Sequence, residues 1–237
     1  MQLVQLTVPD LSPGNTKLGK ILNWNLPAVE TCLGRSINCL KACYAKKRRY
    51  KSEAVLRAYE LRHQARLQKG WVRGMVKNIN RSRTKTVRIH ASGDFDTVKY
   101  IKRWQRIVQG CPDTVFYFYT RSWRVPRLLP HIKQLAAEPN VFAWFSCDSS
   151  MPVPPKVPGI RLAYMSMDDT DAPDYPADLV FRVKHKTVAK RMGEHGCRVC
   201  TLEQGIERKV DITCETCGIC FSNYSTNKEI RQTANAT

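Results

Sequence analysis

Apolar positions along this chain recur first every second residue, then every third or fourth, and the two periods keep alternating. Residues 2–8 alternate as a strand, residues 11–15 carry a Pro/Gly turn, and residues 20–27 read as a short strand entering a loop. Across residues 46–77 the period is helical. Ala54, Ala58, Leu61 and Ala65 form the expected packing face, and Arg62, Arg66, Lys69, Arg73 and Lys77 share the neighbouring one. Strands are then expected at residues 86–91, 114–119, 141–146, 160–165 and 179–183, with helices over 96–109 and 125–137. In the first of these helices Val98, Ile101, Trp104 and Val108 stand in register.

Strand and helix alternating in this way predict a mainly parallel α/β sheet. About six strands are too few to close an eight-stranded barrel, so the expected architecture is an open or partial one. Residues 1–190 would form this body. Residues 191–237, rich in cysteine, would be an extension packed on it.

Ten cysteines change the picture. Cys32, Cys39 and Cys43 crowd one loop after the first strands, and Cys197, Cys200, Cys214, Cys217 and Cys220 crowd the end of the chain. Residues 1–13 lack the basic start and apolar core of a signal peptide, and no apolar run approaches the ~20 residues of a membrane span. A reducing cytoplasm is therefore expected, where clustered cysteines serve as metal ligands more often than as disulfides. The paired CxxC spacing of Cys197, Cys200, Cys214 and Cys217 suits a zinc ribbon, while CxxCxxC and a fifth thiol suit [4Fe–4S]. One or two [4Fe–4S] clusters are expected, with zinc as the alternative. Cys111 and Cys147 stand apart and read as packed thiols.

Charge adds a partner. The chain carries 39 Lys and Arg against 20 Asp and Glu, a formal net charge of +19. Such an excess is best tolerated when a polyanion neutralises it, and no lipid anchor or apolar-faced interfacial helix favours a membrane. Residues 46–83 alone hold thirteen basic residues and two acidic ones. Arg62, Arg66, Lys69, Arg73 and Lys77 are thus the expected nucleic-acid contacts, joined by Arg121 and Arg124 beyond a strand end.

In parallel α/β folds, sites gather at the carboxyl ends of strands. Gly93 and Asp94, then Thr120, Arg121, Trp123 and Arg124, then Asp148, then Asp168 and Asp169 all follow predicted strands, so they are expected on one rim with the first cysteine loop.

Two resemblances rest on these residues. The run Cys39-Leu40-Lys41-Ala42-Cys43-Tyr44-Ala45, followed later by Ser92-Gly93-Asp94-Phe95, resembles the layout of radical S-adenosylmethionine enzymes. It departs in cysteine spacing and has Gly-Asp where Gly-Gly-Glu would stand. This resemblance implies a partial (β/α)6 barrel, a [4Fe–4S] cluster in the first loop, and S-adenosylmethionine held near Gly93 and Asp94. Over most of its length the chain also resembles the "gene product 88-like" proteins of phages and plasmids. That likeness is carried by Leu11–Asn15, Cys39–Ala45, His90–Phe95, Tyr119–Arg124 and Cys214–Cys217. It implies a mobile-element origin. The function expected is an iron–sulfur protein that binds DNA or RNA.

Overall fold

Every strand runs parallel to its neighbours, and the order of strands in space is their order in the chain. β1 (Leu22–Trp24), β2 (Thr86–Ile89), β3 (Val115–Thr120), β4 (Val141–Cys147), β5 (Ile160–Ser166) and β6 (Leu179–Arg182) form one six-stranded sheet, β1 and β6 at its edges. These relations come from a computed structural model that describes residues 10–183, 197–200, 202 and 212–222. The strand expected at residues 2–8 and the boundary expected near residue 190 lie outside the described residues.

Each return from one strand to the next parallel strand crosses over with the same hand, so sequential order keeps all the crossover helices on one face. That face is covered by α2 (Glu53–Ala65), α3 (Trp71–Arg81), α4 (Val98–Gln109) and α5 (Leu129–Ala136), while the short α1 (Ile37–Ala42) lies in the cysteine loop. The alternation within β3 shows the division. Phe116 and Phe118 enter the core under the helices; Tyr117 and Tyr119 point to the opposite face. In β4, Val141, Ala143 and Phe145 point to the helices, and Phe142 and Trp144 point away.

The helix-side core is aromatic where β1, β2, α3 and α4 meet. Trp71 lies 5.5 Å from Trp24, 5.7 Å from Tyr100 and edge-on to Trp104 at 5.6 Å, measured between ring centres. Offset and edge-on rings add to the area that they bury. Thr97 caps α4 by accepting from the Tyr100 backbone N–H.

The helix expected over residues 46–77 is two helices. Gly70 stands at the break and begins α3, a glycine being a poor residue to carry a helix onward. The packing face also differs from the expected one. Ala54 and Leu61 are exposed, whereas Tyr59, Arg62 and Ala65 are buried. Two arginines turn inward because each finds a partner there. Arg62 donates to the Asp10 carbonyl at 3.1 Å and lies over Trp24; Arg66 forms a two-pronged pair with Asp96 at 2.5 and 2.6 Å over the Tyr100 ring. Among the described residues no helix is long and apolar enough to cross a membrane.

Trp71→Ala should destabilise the protein by about 3–5 kcal/mol, since neighbouring rings cannot collapse into the space. A fall in the urea midpoint at unchanged slope measures it, and a loss below 1 kcal/mol would mean that the aromatic cluster does not hold α3 and α4 to the sheet.

Candidate metal centres

The first cysteine loop is seated on the carboxyl ends of the strands. Thr31 fixes its start, donating from Oγ1 to the Pro27 carbonyl at 2.7 Å and accepting from the Asp94 N–H at 3.4 Å. Gly34 lies against the backbone at the end of β3, and a Cβ there would fall 1.9 Å from the Arg121 carbonyl oxygen. Only glycine lets the two backbones approach this closely. Gly93 does the same below the loop: its φ is +81°, and a Cβ would meet Leu26 and Thr31 at 2.7 Å. Ser36 caps α1 by accepting from the Cys39 N–H at 2.9 Å, and its hydroxyl donates to Asp148 Oδ2 at 2.5 Å. Arg35 and Arg124 close over the loop, donating to the Val29 and Cys32 carbonyls and to those of Gly34 and Arg35.

Beneath the loop the strand ends share one buried polar network. Asp94 Oδ1 accepts from the Phe95 N–H and the Thr120 hydroxyl at 2.7 and 2.6 Å, and Oδ2 accepts from the Arg121 N–H at 2.8 Å. Arg121 pairs with Asp148, whose side chain is 0% exposed, and also meets Ser36 and the sulfur of Met151. Burial pushes the Asp148 carboxyl upward, but Arg121, Ser150 and Ser36 outweigh it and hold the group below the usual range. Asp94 is shifted the other way, raised by burial despite its hydrogen bonds. Both oxygens of Asp94 are committed to bracing β2 against β3. Gly93 and Asp94 make these contacts at the position where the radical-enzyme resemblance implied a hold on a cofactor.

Among the described residues two besides glycine hold left-handed backbone, Val29 at φ 72° and His90 at φ 67°, and both flank this rim. A β-branched residue in that region is strained, at roughly 1–3 kcal/mol, and such strain gathers at functional sites.

Cys32, Cys39 and Cys43 lie close enough to feel one another's charge, and Asp94 and Asp148 add to the negative field around Cys39. Burial, with Asp94 second, pushes the Cys32 thiol up to about 12; burial also raises Cys39, partly offset by Arg121. Beside α1 a cleft of about 480 Å³ opens between Lys41 and Lys47 on one side and Met167, Asp168 and Asp169 on the other.

The second cysteine set lies on the sheet face away from the helices. Residues 198–200 extend the sheet past β6, Val180 donating to Arg198 at 2.7 Å and Cys200 donating back to Val180 at 2.8 Å. The segment 212–222 crosses the same face. Its helical turn α6 (Cys214–Cys217) is capped by Thr213 and ended by Gly218 at φ 68°. Cys214 N–H donates to the Lys17 carbonyl at 2.8 Å, and Glu215 N–H to that of Leu18 at 3.2 Å. Trp144 Nε1 donates to the Cys220 carbonyl at 2.9 Å, and Arg161 caps the following turn through the carbonyls of Ile219, Cys220 and Ser222.

Here Cys214 feels the charges of Cys200 and Cys217, and Cys220 feels those of Cys214 and Cys217. Burial raises both thiols; Arg88 and Lys17 pull Cys214 back down. Arg88 projects from the middle of β2 toward this set. Burial opposes its charge, but the phenols of Tyr44, Tyr117 and Tyr119 and the Cys214 thiol more than restore it. Cys197 stands apart, packed with Cys147, Tyr164 and Val199. None of the ten cysteines is in a disulfide, and Cys111 and Cys147 are buried.

The expected nucleic-acid residues divide. Lys69, Arg73 and Lys77 are exposed, and Arg124 is exposed over the loop. Arg62, Arg66 and Arg121 are buried and paired, so their guanidinium groups do not present themselves to phosphate. Sequence reasoning passed over Arg88 and Arg161. The available signal was a cation in the middle of an otherwise apolar strand, which calls for an anion or open carbonyls on the facing side.

The fold and its two cysteine groups define an α/β protein with a six-stranded parallel sheet that carries thiol-rich centres at its strand ends and on its helix-free face. The chain belongs to the gene product 88 family, whose sequence model matches residues 6–223. It is 31% identical over 148 residues to the Gene 88 protein of Mycobacterium phage L5 and 29% identical over 148 residues to that of Mycobacterium phage D29. Each match covers 57% of this chain and 60% of the phage protein, so the chain spans less than two thirds of those relatives. No solved structure matches it.

His90 is buried, its Nε2 2.9 Å from the Tyr100 hydroxyl, and burial followed by Arg66 and Arg88 lowers its pKa to about 3. The unfolded chain takes up this proton near pH 6.5 and the folded one only near 3, so the stability due to neutral His90 is present above pH 6.5 and is lost as the pH falls toward 3. His90→Asn, which tolerates the same backbone, should flatten the wild-type decline by up to ~1.4 kcal/mol per pH unit. Urea midpoints between these pH values test this; parallel curves for the two proteins would remove His90 as the cause. Asp148→Ala, which strands Arg121 in the interior, should cost about 3–5 kcal/mol. An unchanged midpoint would mean that water reaches Arg121.

Proposed function

We propose that this protein is an iron–sulfur protein that acts on or beside nucleic acid, its sheet a partial (β/α)6 barrel holding one cluster at the strand ends and one on the inner face. The observation that carries the reading is the convergence of Cys200, from the edge of the sheet, with Cys214, Cys217 and Cys220 against Arg88 and Lys17. Burial raises the thiols of Cys214 and Cys220, and a cationic metal centre is what would turn the half-buried set into thiolates. A thiolate-ligated cluster is anionic, and Arg88, drawn into the sheet without a carboxylate among its close anionic groups, supplies the counter-charge.

The donor chemistry favours a cluster over single zinc ions. A fifth cysteine is surplus to a four-ligand zinc site, and the CxxCxxC run of Cys214, Cys217 and Cys220 suits a cluster in which each thiolate binds a different iron. Cys32, Cys39 and Cys43 would hold the first cluster and leave one iron for another ligand; Cys200, Cys214, Cys217 and Cys220 would hold the second. The partial-barrel reading is supported by sequential parallel strands with the crossover helices on one face. Nucleic acid is supported by the net charge of +19.

Anaerobically purified protein should be brown and contain iron and acid-labile sulfide. Cys39→Ser with Cys43→Ser, or Cys200→Ser with Cys214→Ser, should each remove about half of the iron. Cys197→Ser should remove none. Colourless protein with stoichiometric zinc and no sulfide would defeat the proposal.

A further inference from the structure

We infer that the partner is double-helical nucleic acid, held through its phosphates by the outer faces of α3 and α4. This rests on the nucleic-acid reading above and gives it a surface. On α3, Arg73, Lys77 and Arg81 recur every fourth residue, and on α4 Lys99, Lys102 and Arg106 recur at three and four; all six are exposed. Each helix thus displays a row with a cation every ~5–6 Å. The two helices pack side by side, close enough that a Cβ on Gly110, just after α4, would touch Val76 of α3 at 2.8 Å. Adjacent helix axes stand ~8–10 Å apart. Long Lys and Arg side chains splayed from axes at that spacing can reach across the ~12 Å major groove of a B-form duplex, one row to each phosphate backbone.

No acid interrupts the rows. Neither α3 nor α4 contains Asp or Glu, and neither does α5 beside them. Of the acids that flank them, Asp96 is held by Arg66, Glu138 by Gln105 and Gln109, and Asp10 accepts from Asn78 of α3, while Asp113, four residues after α4, is exposed. An ordinary solvated helix surface mixes both signs, and one sign over two neighbouring helices is a field that a polyanion completes.

The same surface argues against other polyanions. Single strands are gripped by stacking bases on exposed aromatic rings. The rings of α3 and α4, Trp71, Tyr100 and Trp104, are all buried. A membrane surface is gripped by apolar side chains set among the cations. The exposed leucines nearest in sequence, Leu56, Leu61 and Leu67, lie on or just after α2, outside both rows.

The test is fluorescence anisotropy of the full-length, anaerobically purified protein with a short duplex and with its separated strands, across a salt series. Duplex should bind more tightly than either strand, with steep salt dependence. Arg73→Ala, Lys77→Ala, Lys102→Ala and Arg106→Ala together should lower the slope of log K against log salt by roughly 3–4, at ~0.9 per phosphate contact. A charge-matched variant with Lys20, Lys46, Lys51 and Lys156 replaced by Ala should keep the wild-type slope, and an unchanged urea midpoint shows that both variants are folded. Equal losses in the two variants would overturn the surface. Tighter binding of single strands, or of phosphatidylserine vesicles, would overturn the duplex. Failure of the wild-type protein to bind any nucleic acid would instead defeat the broader reading.

Discussion

The rim of this protein depends on one buried ion pair. Arg121 leaves the end of β3 and Asp148 leaves the end of β4, and neither charge would persist in the interior without the other. Ser36 is hydrogen-bonded to both and caps the helix that carries Cys39. The position of a thiol in the loop is thereby coupled to two strands far away in sequence. Asp94 repeats the device one strand earlier, bracing β2 against β3, with its own N–H bonded to Thr31 beside Cys32. A loop of fifteen or so residues with little apolar contact of its own is in this way set on rigid strand ends, as a precise site requires.

Much of the fold was legible because parallel sheets repeat a simple rhythm. Strands rich in Val, Ile, Phe and Tyr separated by amphipathic helices leave few alternatives, and all five later strands fall where the alternation puts them. The helix spanning residues 46–77 was misread for a physical reason. Hydrophobic periodicity counts arginine as polar, yet Arg62 and Arg66 lie flat on Trp24 and Tyr100 and find oxygen partners below them. Arginine's apolar stem and planar head let it behave as a core residue wherever an aromatic face and an acceptor coincide. Nothing local in the sequence signals that coincidence, since Trp24, Asp96 and Tyr100 come from other elements.

The cysteines were legible as groups but not as partners. Spacing joined Cys197 with Cys200; in space the two belong to opposite faces, because the segment is bridged to β6 at Val199 and extended residues three apart point to opposite sides. Strand pairing, which is a long-range property, decides which thiol reaches α6. The same alternation explains Arg88 and Arg161. Each points away from the helices into the face that the chain's last described segment covers, so a cation mid-strand meant a covered face rather than a solvent one.

That covered face has a consequence for the order of events in synthesis. The first cysteine loop and the strand ends beneath it have most of their polar partners once the chain has emerged as far as Met151. The second set does not, because its cysteines run to Cys220 while its walls include Lys17 and Leu18. The nascent sheet must therefore hold Tyr117, Trp144, Arg88 and Arg161 uncovered until residues 212–222 have been made. Whatever closes that face acts late, as a clasp that ties residues 17–18 to residues 214–215 and joins segments some two hundred residues apart.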